Sequence, residues 1–277
     1  MLVVPRVPFD LEDDDRAFLL TVPLAARHKN IAYDPRRHRV TGFVERRSGD
    51  RERLRAIMQG YSQRVTDFLA SMLPQYARSW VVDYASFRPQ EEEGRRLRLR
   101  ARNDLLHTDA FPARPTNGDR ILRAFTNISP KQVRRWVTTD TFDVLVRRFA
   151  GSAALPLPAP RQLRRWIVKA AHAAGLPVVQ RSPYDEFMLR FHNYLKANRE
   201  FQTTCRKQLW EFPPNSTWIV FTDLVPHAAL SGRYALEQTY IVSRDSLVLP
   251  EKAPLRILET LCSTQLTVPR CARGHAA

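Results

Sequence analysis

Cysteine is scarce in this chain of 277 residues: only Cys205, Cys262 and Cys271 are present. They share no metal-type spacing and their odd number cannot pair completely, which excludes a disulfide scaffold and a zinc ribbon. Long apolar runs are missing as well. No stretch approaches the roughly 18 uninterrupted apolar residues of a membrane-spanning helix. The opening MLVVPRVPFDLEDDD turns acidic before a signal-peptide apolar core can develop, so a soluble chain that stays in the cytosol is expected. There is no repeat at solenoid or propeller periods, and no zinc finger, RNP-type aromatic strand motif or clear helix-turn-helix. Acidic residues are the minority charge, 28 Asp+Glu against 44 Lys+Arg, for a formal net charge of +16. The 44% of hydrophobic residues is enough to bury a real core, so a disordered chain is excluded. The positive field implies an anionic partner, whether nucleic acid, anionic lipid surface or a phosphate- and carboxylate-rich substrate, without choosing among them. Arginine far outnumbers lysine; its planar fork suits carboxylate and phosphate, although a GC-rich genome writes the same bias.

The apolar pattern is mixed. Leu54, Ile57, Met58, Tyr61, Val65, Phe68, Leu69 and Met72 make one stripe of a long helix ending near Pro74. Trp80 to Tyr84 reads as a strand, as does the alternation of Leu97, Leu99 and Ala101 with Arg98, Arg100 and Arg102, the two being separated by the acidic turn Glu91-Glu92-Glu93-Gly94. A further extended run covers Arg120 to Ile128. Helix is expected around Val133, Trp136 and Val137, and again through Phe142, Leu145, Val146 and Phe149. After a Pro-rich connector at 155–160, one helical stripe contains Leu163, Trp166, Ile167 and Ala170. A second starts at the N-cap Ser182 with Pro183 in its first turn, and carries Tyr184, Phe187, Met188, Phe191, Tyr194 and Leu195. Strands return at Trp218 to Val225 and Tyr234 to Val242, with Gly232 at the turn between them, and Leu255 to Leu261 reads as a short helix. Strands from the middle and end must share a sheet wrapped by the intervening helices. The expectation is an α+β single domain over 1–277, with about 1–50 an N-terminal extension and 263–277 a frayed tail.

The sharpest local feature is Leu105-Leu106-His107-Thr108-Asp109-Ala110-Phe111-Pro112. In an extended run, side chains two apart project from one face, so His107 and Asp109 point at the same spot. One facing histidine would complete the facial triad that holds non-heme Fe(II) and leaves positions open for reactants. His28 and His38 lie in basic, loop-like sequence, His172 and His192 within helices, and His275 in the tail. His227, directly after an apolar strand, remains. A strand-borne His-x-Asp followed much later by a strand-borne His is the layout of a double-stranded β-helix, a jelly-roll core. The plain alternative is that His107 bonds a neighbouring backbone carbonyl and that His227 is an ordinary loop residue. An iron oxygenase of this layout commonly uses 2-oxoglutarate, whose distal carboxylate needs a buried cation. Arg233, just beyond His227, and Arg123, on the strand after His-Thr-Asp, are the two candidates. With period two, Arg123, Phe125 and Asn127 share one face, and Arg120 and Leu122 the other.

The blocks LLHTDAFPARPTNGDRILRAFTNISP, HAALSGRYALEQTYIV and APLRILETL together resemble the bacterial Kdo (3-deoxy-D-manno-oct-2-ulosonic acid) hydroxylases, over about residues 80 to 262. The resemblance implies an Fe(II)/2-oxoglutarate-dependent dioxygenase with a jelly-roll core. Its expected reaction is hydroxylation of carbon 3 of Kdo on a lipid A-linked glycolipid at the cytoplasmic face of the inner membrane, using O2 and stimulated by ascorbate. His107, Asp109 and His227 fall where the family's iron ligands are expected. Arg233 and Arg123 compete as 2-oxoglutarate anchor, while Arg114 and Arg120 are expected substrate contacts. The basic charge then draws the enzyme to an anionic membrane surface as a peripheral protein, possible help coming from the 51–73 helix, and no nucleic acid is expected. The rivals are the same chemistry on another substrate, a cupin-like hydrolase or isomerase with zinc or manganese, and a non-enzymatic nucleic-acid binder.

Overall fold

The computed structural model describes residues 1–6, 11–158 and 180–269. The strands are β1 (Leu2–Val4), β2 (Ile31–Asp34), β3 (Arg39–Thr41), β4 (Val81–Arg88), β5 (Arg120–Asn127), β6 (Arg134–Thr138), β7 (Gln208–Phe212), β8 (Thr217–Phe221), β9 (His227–Ser231) and β10 (Ala235–Val242). The helices are α1 (Asp13–Thr21), α2 (Asp50–Met72), α3 (Pro74–Ala77), α4 (Phe142–Phe149), α5 (Pro183–Ala197), α6 (Arg199–Thr204) and α7 (Pro254–Cys262). A seven-stranded antiparallel sheet in the order β1-β8-β5-β10-β4-β2-β3 faces a three-stranded sheet, β7-β6-β9. This is the expected jelly-roll core wrapped by helices. Residues before 50 supply β1, β2 and β3 to the large sheet.

Period-two alternation decides which residues fill which layer. On β5, Leu122 and Ala124 face outward, toward α2, in a cluster that includes Ile57, Tyr61, Val65, Phe87 and Tyr240. The stripe of α2 that its spacing predicts is buried from Leu54 to Leu69, apart from the half-buried Phe68, and Met72 at its end is exposed; each fully buried aliphatic side chain is worth about 1.5–3 kcal/mol. The other face of β5 turns Phe125 into the space between the sheets, where Trp136, Phe212 and Trp218 close a stack of aromatic rings. Phe212 lies parallel on Trp218 at 3.9 Å, and Trp136 meets Phe125 edge-on at 4.7 Å. Helices α4 to α7 cover the outer face of the small sheet through Val137, Ala228 and the apolar stripe of α5. Ser182 starts α5 with a full capping box: its hydroxyl accepts from Asp185 N while the Asp185 side chain accepts from Ser182 N.

Two expected elements differ. Val133, Trp136 and Val137 lie in or beside a strand, not a helix. Their i, i+3, i+4 spacing fits a helix, but cross-strand hydrogen bonding to both β7 and β9 puts this segment at the centre of the small sheet. The Leu97 to Arg102 alternation is not a strand either. Ala101 N bonds Arg98 O at 2.8 Å, closing a short 3-10 turn at Leu99–Ala101, and Leu99 is 47% exposed. No facing strand takes its backbone donors, so local i to i−3 bonds replace a ladder. The stripe around Leu163 to Ala170, together with His172, His275 and Cys271, lies outside the described residues. Cys205 and Cys262 are free thiols.

Candidate metal centre

The His107-Thr108-Asp109 run lies between the two sheets, hydrogen-bonded to each. His107 N donates to His227 O at 3.1 Å and His227 N to His107 O at 3.0 Å, an antiparallel bridge that pins the two histidines opposite one another at the edge of β9. Two residues on, Asp109 N donates to Thr222 O at 2.8 Å, just past the end of β8. The extended backbone therefore turns His107 and Asp109 to one face, as their spacing requires. The candidate ligand atoms of His107, Asp109 and His227 all lie within 4.8 Å of one another, and all three residues are buried.

The imidazoles are oriented through their other nitrogen. His107 Nδ1 donates to Leu105 O at 2.6 Å and His227 Nδ1 to Val225 O at 3.0 Å, leaving each Nε2 as the free lone pair. The Trp136 ring stacks on His227 at 5.0 Å and 15°, and His192 stands edge-on to His107 at 4.9 Å. His192 Nδ1 donates to Thr108 O at 2.6 Å, bracing the backbone between the two ligands of the run. Sequence reasoning set His192 aside as helical, yet α5 packs directly over the centre. Burial, joined by the neighbouring His227, pushes His107 well below the usual histidine range, and burial likewise lowers His227. Burial by itself would raise Asp109, but Arg123 and the two imidazoles more than offset it and hold the carboxylate ionised. Neutral imidazoles and an ionised carboxylate are the protonation states a divalent transition metal needs.

The centre opens into a cavity of about 390 Å³ between the sheets and α5. Its floor carries Arg88, Arg123 and Arg134, which face three carboxylates. Arg123 donates to Asp109 Oδ2 at 2.6 Å and also pairs with Glu237; Arg88 pairs with Glu237 at 2.6 Å; Arg134 pairs with Glu92 at 3.2 Å. Arg123 Nε is engaged as well, by Thr239 Oγ1 at 3.2 Å. Gly232 makes the floor possible: at φ +112, a Cβ there would lie 2.9 Å from the Arg134 backbone, and its carbonyl accepts from Arg134 at 2.9 Å. Arg134 Nε and Trp136 Nε1 are buried donors without partners.

The remaining arginines singled out from sequence are placed differently. Arg233 is exposed at the turn before β10, stacked on Tyr234 at 4.6 Å with Nε toward Pro89 O, and does not line the cavity. Arg120, on the opposite face of β5 from Arg123, pairs with Asp223 at 2.6 Å and is 4% exposed, so its fork is already taken away from the cavity. Arg114 pairs with Asp83 and lies over Phe111, a wall residue, at 4.6 Å; it borders the cavity without lining it.

Two lysines of the cavity wall, Lys29 and Lys196, were not foreseen. Burial lowers Lys29 to about 7, helped by Arg88, and burial lowers Lys196 to about 8. Both therefore bind fewer protons folded than unfolded between these values and the usual lysine range. Stability of the ligand-free protein should rise with pH from about 7 to about 10, because the unfolded chain holds the extra protons in that window. The expected gain is on the order of 2–3 kcal/mol after solvent screening. Urea melts across this range check it, and Lys29→Met should flatten the slope; an unchanged slope would show that Lys29 titrates normally.

Comparison with known proteins follows the same geometry. Residues 1–265 match the family model described as 3-deoxy-D-manno-oct-2-ulosonic acid (Kdo) hydroxylase. Crystal structures of the Kdo hydroxylase KdoO, described as a non-heme Fe(II) α-ketoglutarate-dependent dioxygenase, are similar throughout. The complex with α-ketoglutarate and Fe(III) is 36% identical, with 96% of this chain and 87% of that chain covered and a TM-score of 0.83. The complex with succinate and Fe(III) is 35% identical, covering 98% and 89% at a TM-score of 0.84. The cobalt(II) complex is 36% identical, covering 98% and 89% at a TM-score of 0.85. No curated protein sequence matches. With a family model spanning nearly its full length and more than a third of its residues shared with solved relatives, the chain belongs to the Kdo hydroxylase family.

Proposed function

We propose that this protein is an Fe(II)/2-oxoglutarate-dependent dioxygenase that hydroxylates carbon 3 of Kdo on a lipid A-linked glycolipid. The convergence of His107, Asp109 and His227 at the end of a basic cavity carries the reading. These three residues would hold ferrous iron in a facial arrangement. When bound, iron and 2-oxoglutarate supply the oxidising chemistry, in which O2 is consumed, the keto acid is decarboxylated to succinate and a C–H bond becomes C–OH.

The chain's own part is orientation, charge balance and exclusion of water. Arg123 keeps one Asp109 oxygen, so the other faces the metal position, where His107 Nε2 lies 3.8 Å from Asp109 Oδ1. The floor's three arginines and three carboxylates are neutral together. A divalent cation then leaves an excess of two positive charges, which a dicarboxylate keto acid balances. Of the cations considered from sequence, Arg123 has every side of its fork engaged and Arg233 lies outside the cavity. The free donors Arg134 Nε and Trp136 Nε1 are where the distal carboxylate would be met. The aromatic stack below keeps bulk water from the floor.

No helix among the described residues is long and apolar enough to cross a membrane. Peripheral docking at the cytoplasmic face of the inner membrane is supported by the turn at the cavity mouth. Arg96 and Arg98 are exposed there beside the exposed Leu99, without a carboxylate partner among the described residues, and Arg100 lines the cavity. Mass analysis of Kdo–lipid A after incubation with enzyme, Fe(II), 2-oxoglutarate and air tests the proposal. One added oxygen on Kdo, matched by succinate, is expected. Succinate formation without sugar oxidation would move the chemistry to another substrate, and absence of both would end it.

A further inference from the structure

The cavity lining carries two sets of cations with different surroundings. The floor arginines are each matched to a carboxylate, as described. The same lining holds Lys29, Arg100 and Lys196, and no carboxylate among the described residues lies within 4.0 Å of any of them. Lys196 is 4% exposed, and among the described residues its ammonium has a single acceptor, the Arg100 carbonyl at 3.0 Å. Among the described residues neither Lys29 Nζ nor the Asn193 amide has a hydrogen-bond partner, and both residues line the cavity. A buried ammonium held by one neutral acceptor is costly, and a ligand that brings negative charge offsets that cost.

Helix geometry fixes where that ligand lies. His192 and Lys196 are four residues apart on α5 and so share a face, with Asn193 beside them. The His192 ring is 4.9 Å from His107, so Lys196 stands one helical turn from the metal centre, with Lys29 on the neighbouring wall. We infer that Lys29, Asn193 and Lys196 form a carboxylate subsite that grips the C1 acid group of the sugar and thereby presents carbon 3 to the metal. This rests on the proposed function and deepens it. In a 3-deoxy-2-ulosonic acid the carboxylate carbon is C1 and the deoxy carbon is two bonds away, so an anchor one turn from the metal selects C3 among the ring carbons. A phosphate of the lipid carrier has the same oxyanion chemistry but would not fix C3.

The test compares wild type, Lys29→Met, Lys29→Arg and Lys196→Met on Kdo–lipid A, on its Kdo methyl ester and on substrate with the lipid phosphates removed. The affinity for 2-oxoglutarate is read separately, from the metal-to-ligand charge-transfer band in anaerobic Fe(II) titrations. The subsite predicts a KM about tenfold or more higher for Lys29→Met on the acid, with a smaller change in kcat and partial rescue by Lys29→Arg. The ester should be poor for wild type and no poorer for the variant, the dephosphorylated substrate should show the full effect, and the 2-oxoglutarate titration should be unchanged within about twofold. Equal losses on acid and ester, an effect that vanishes when phosphates are removed, or a weakened 2-oxoglutarate titration would each overturn the assignment. Failure of the proposed function itself has a different signature: no band and no hydroxylated sugar with wild type. Because Lys196→Met removes a buried contact, its result counts only beside a melting temperature close to wild type, while Lys29→Met carries the decision.

Discussion

Replacing His107 by alanine is expected to abolish iron retention and turnover together while leaving the fold in place. His107 provides one of three convergent donors, and its Nε2 is kept free by the Nδ1 bond to Leu105 O. Loss of an outer-shell partner alone typically costs 10–100-fold in metal affinity, so loss of a ligand should exceed about 100-fold. Asp109→Ala should behave alike for a second reason: Arg123, deprived of its Asp109 partner, would present positive charge to the metal position, with Glu237 as its remaining carboxylate. Iron content after dialysis, the anaerobic charge-transfer band and succinate formation are the measurements. Circular dichroism should match wild type, because the backbone bridge of residue 107 to His227 needs no imidazole. Retained iron and ordinary turnover in either variant would remove the metal centre from this account.

The second large effect concerns a residue that touches neither the metal position nor the cavity. Glu237 is fully buried on β10, the central strand of the large sheet, and pairs with both Arg88 and Arg123. Burial would raise its pKa, but the two guanidiniums outweigh this and keep it ionised. Glu237→Gln preserves shape and removes the charge, leaving two arginines short of a counter-ion in a dry layer. Breaking one side of a buried pair costs about 3–5 kcal/mol, which for a protein of this size lowers Tm by roughly 10 °C. Iron retention should weaken as well, since Arg123 would then compete harder for Asp109. Thermal and urea melts of the ligand-free variant check the first effect. A loss below about 1 kcal/mol would mean that Glu92 takes over both arginines.

The ligand set was legible in sequence because an extended backbone imposes a period of two, which places His107 and Asp109 together without any long-range information. The long helix was legible for a similar reason, its stripe running through about five turns. What escaped was decided by distant pairing. Trp136 and Val137 carry a spacing compatible with either period, and only β7 and β9 determine that the segment is extended. The short edge strands β1, β3 and β7, three, three and five residues long, are too short to display a period. Glu92, in the acidic turn between the two expected strands, is 3% exposed because Arg88, Arg95, Arg134 and Asn103 converge on it. Lys29 and the α5 pair His192 and Lys196 come from separate parts of the chain and acquire meaning only when α5 closes over the sheets. Arg120 and Arg233 looked plausible as isolated cations; strand parity turns the first away, and the Gly232 turn sends the second to the surface.

The reciprocal amide bonds between positions 107 and 227 tie together two segments that are 120 positions apart along the chain. Chain collapse therefore assembles the donor trio before any ion arrives, and the ordering entropy is already spent. Ion uptake becomes a matter of diffusion down a cationic channel that repels its own cargo, so delivery as a complex with an acidic chelator should outpace free aquo ions. Exchange of one divalent ion for another then proceeds on a native scaffold, with no unravelling step to slow it.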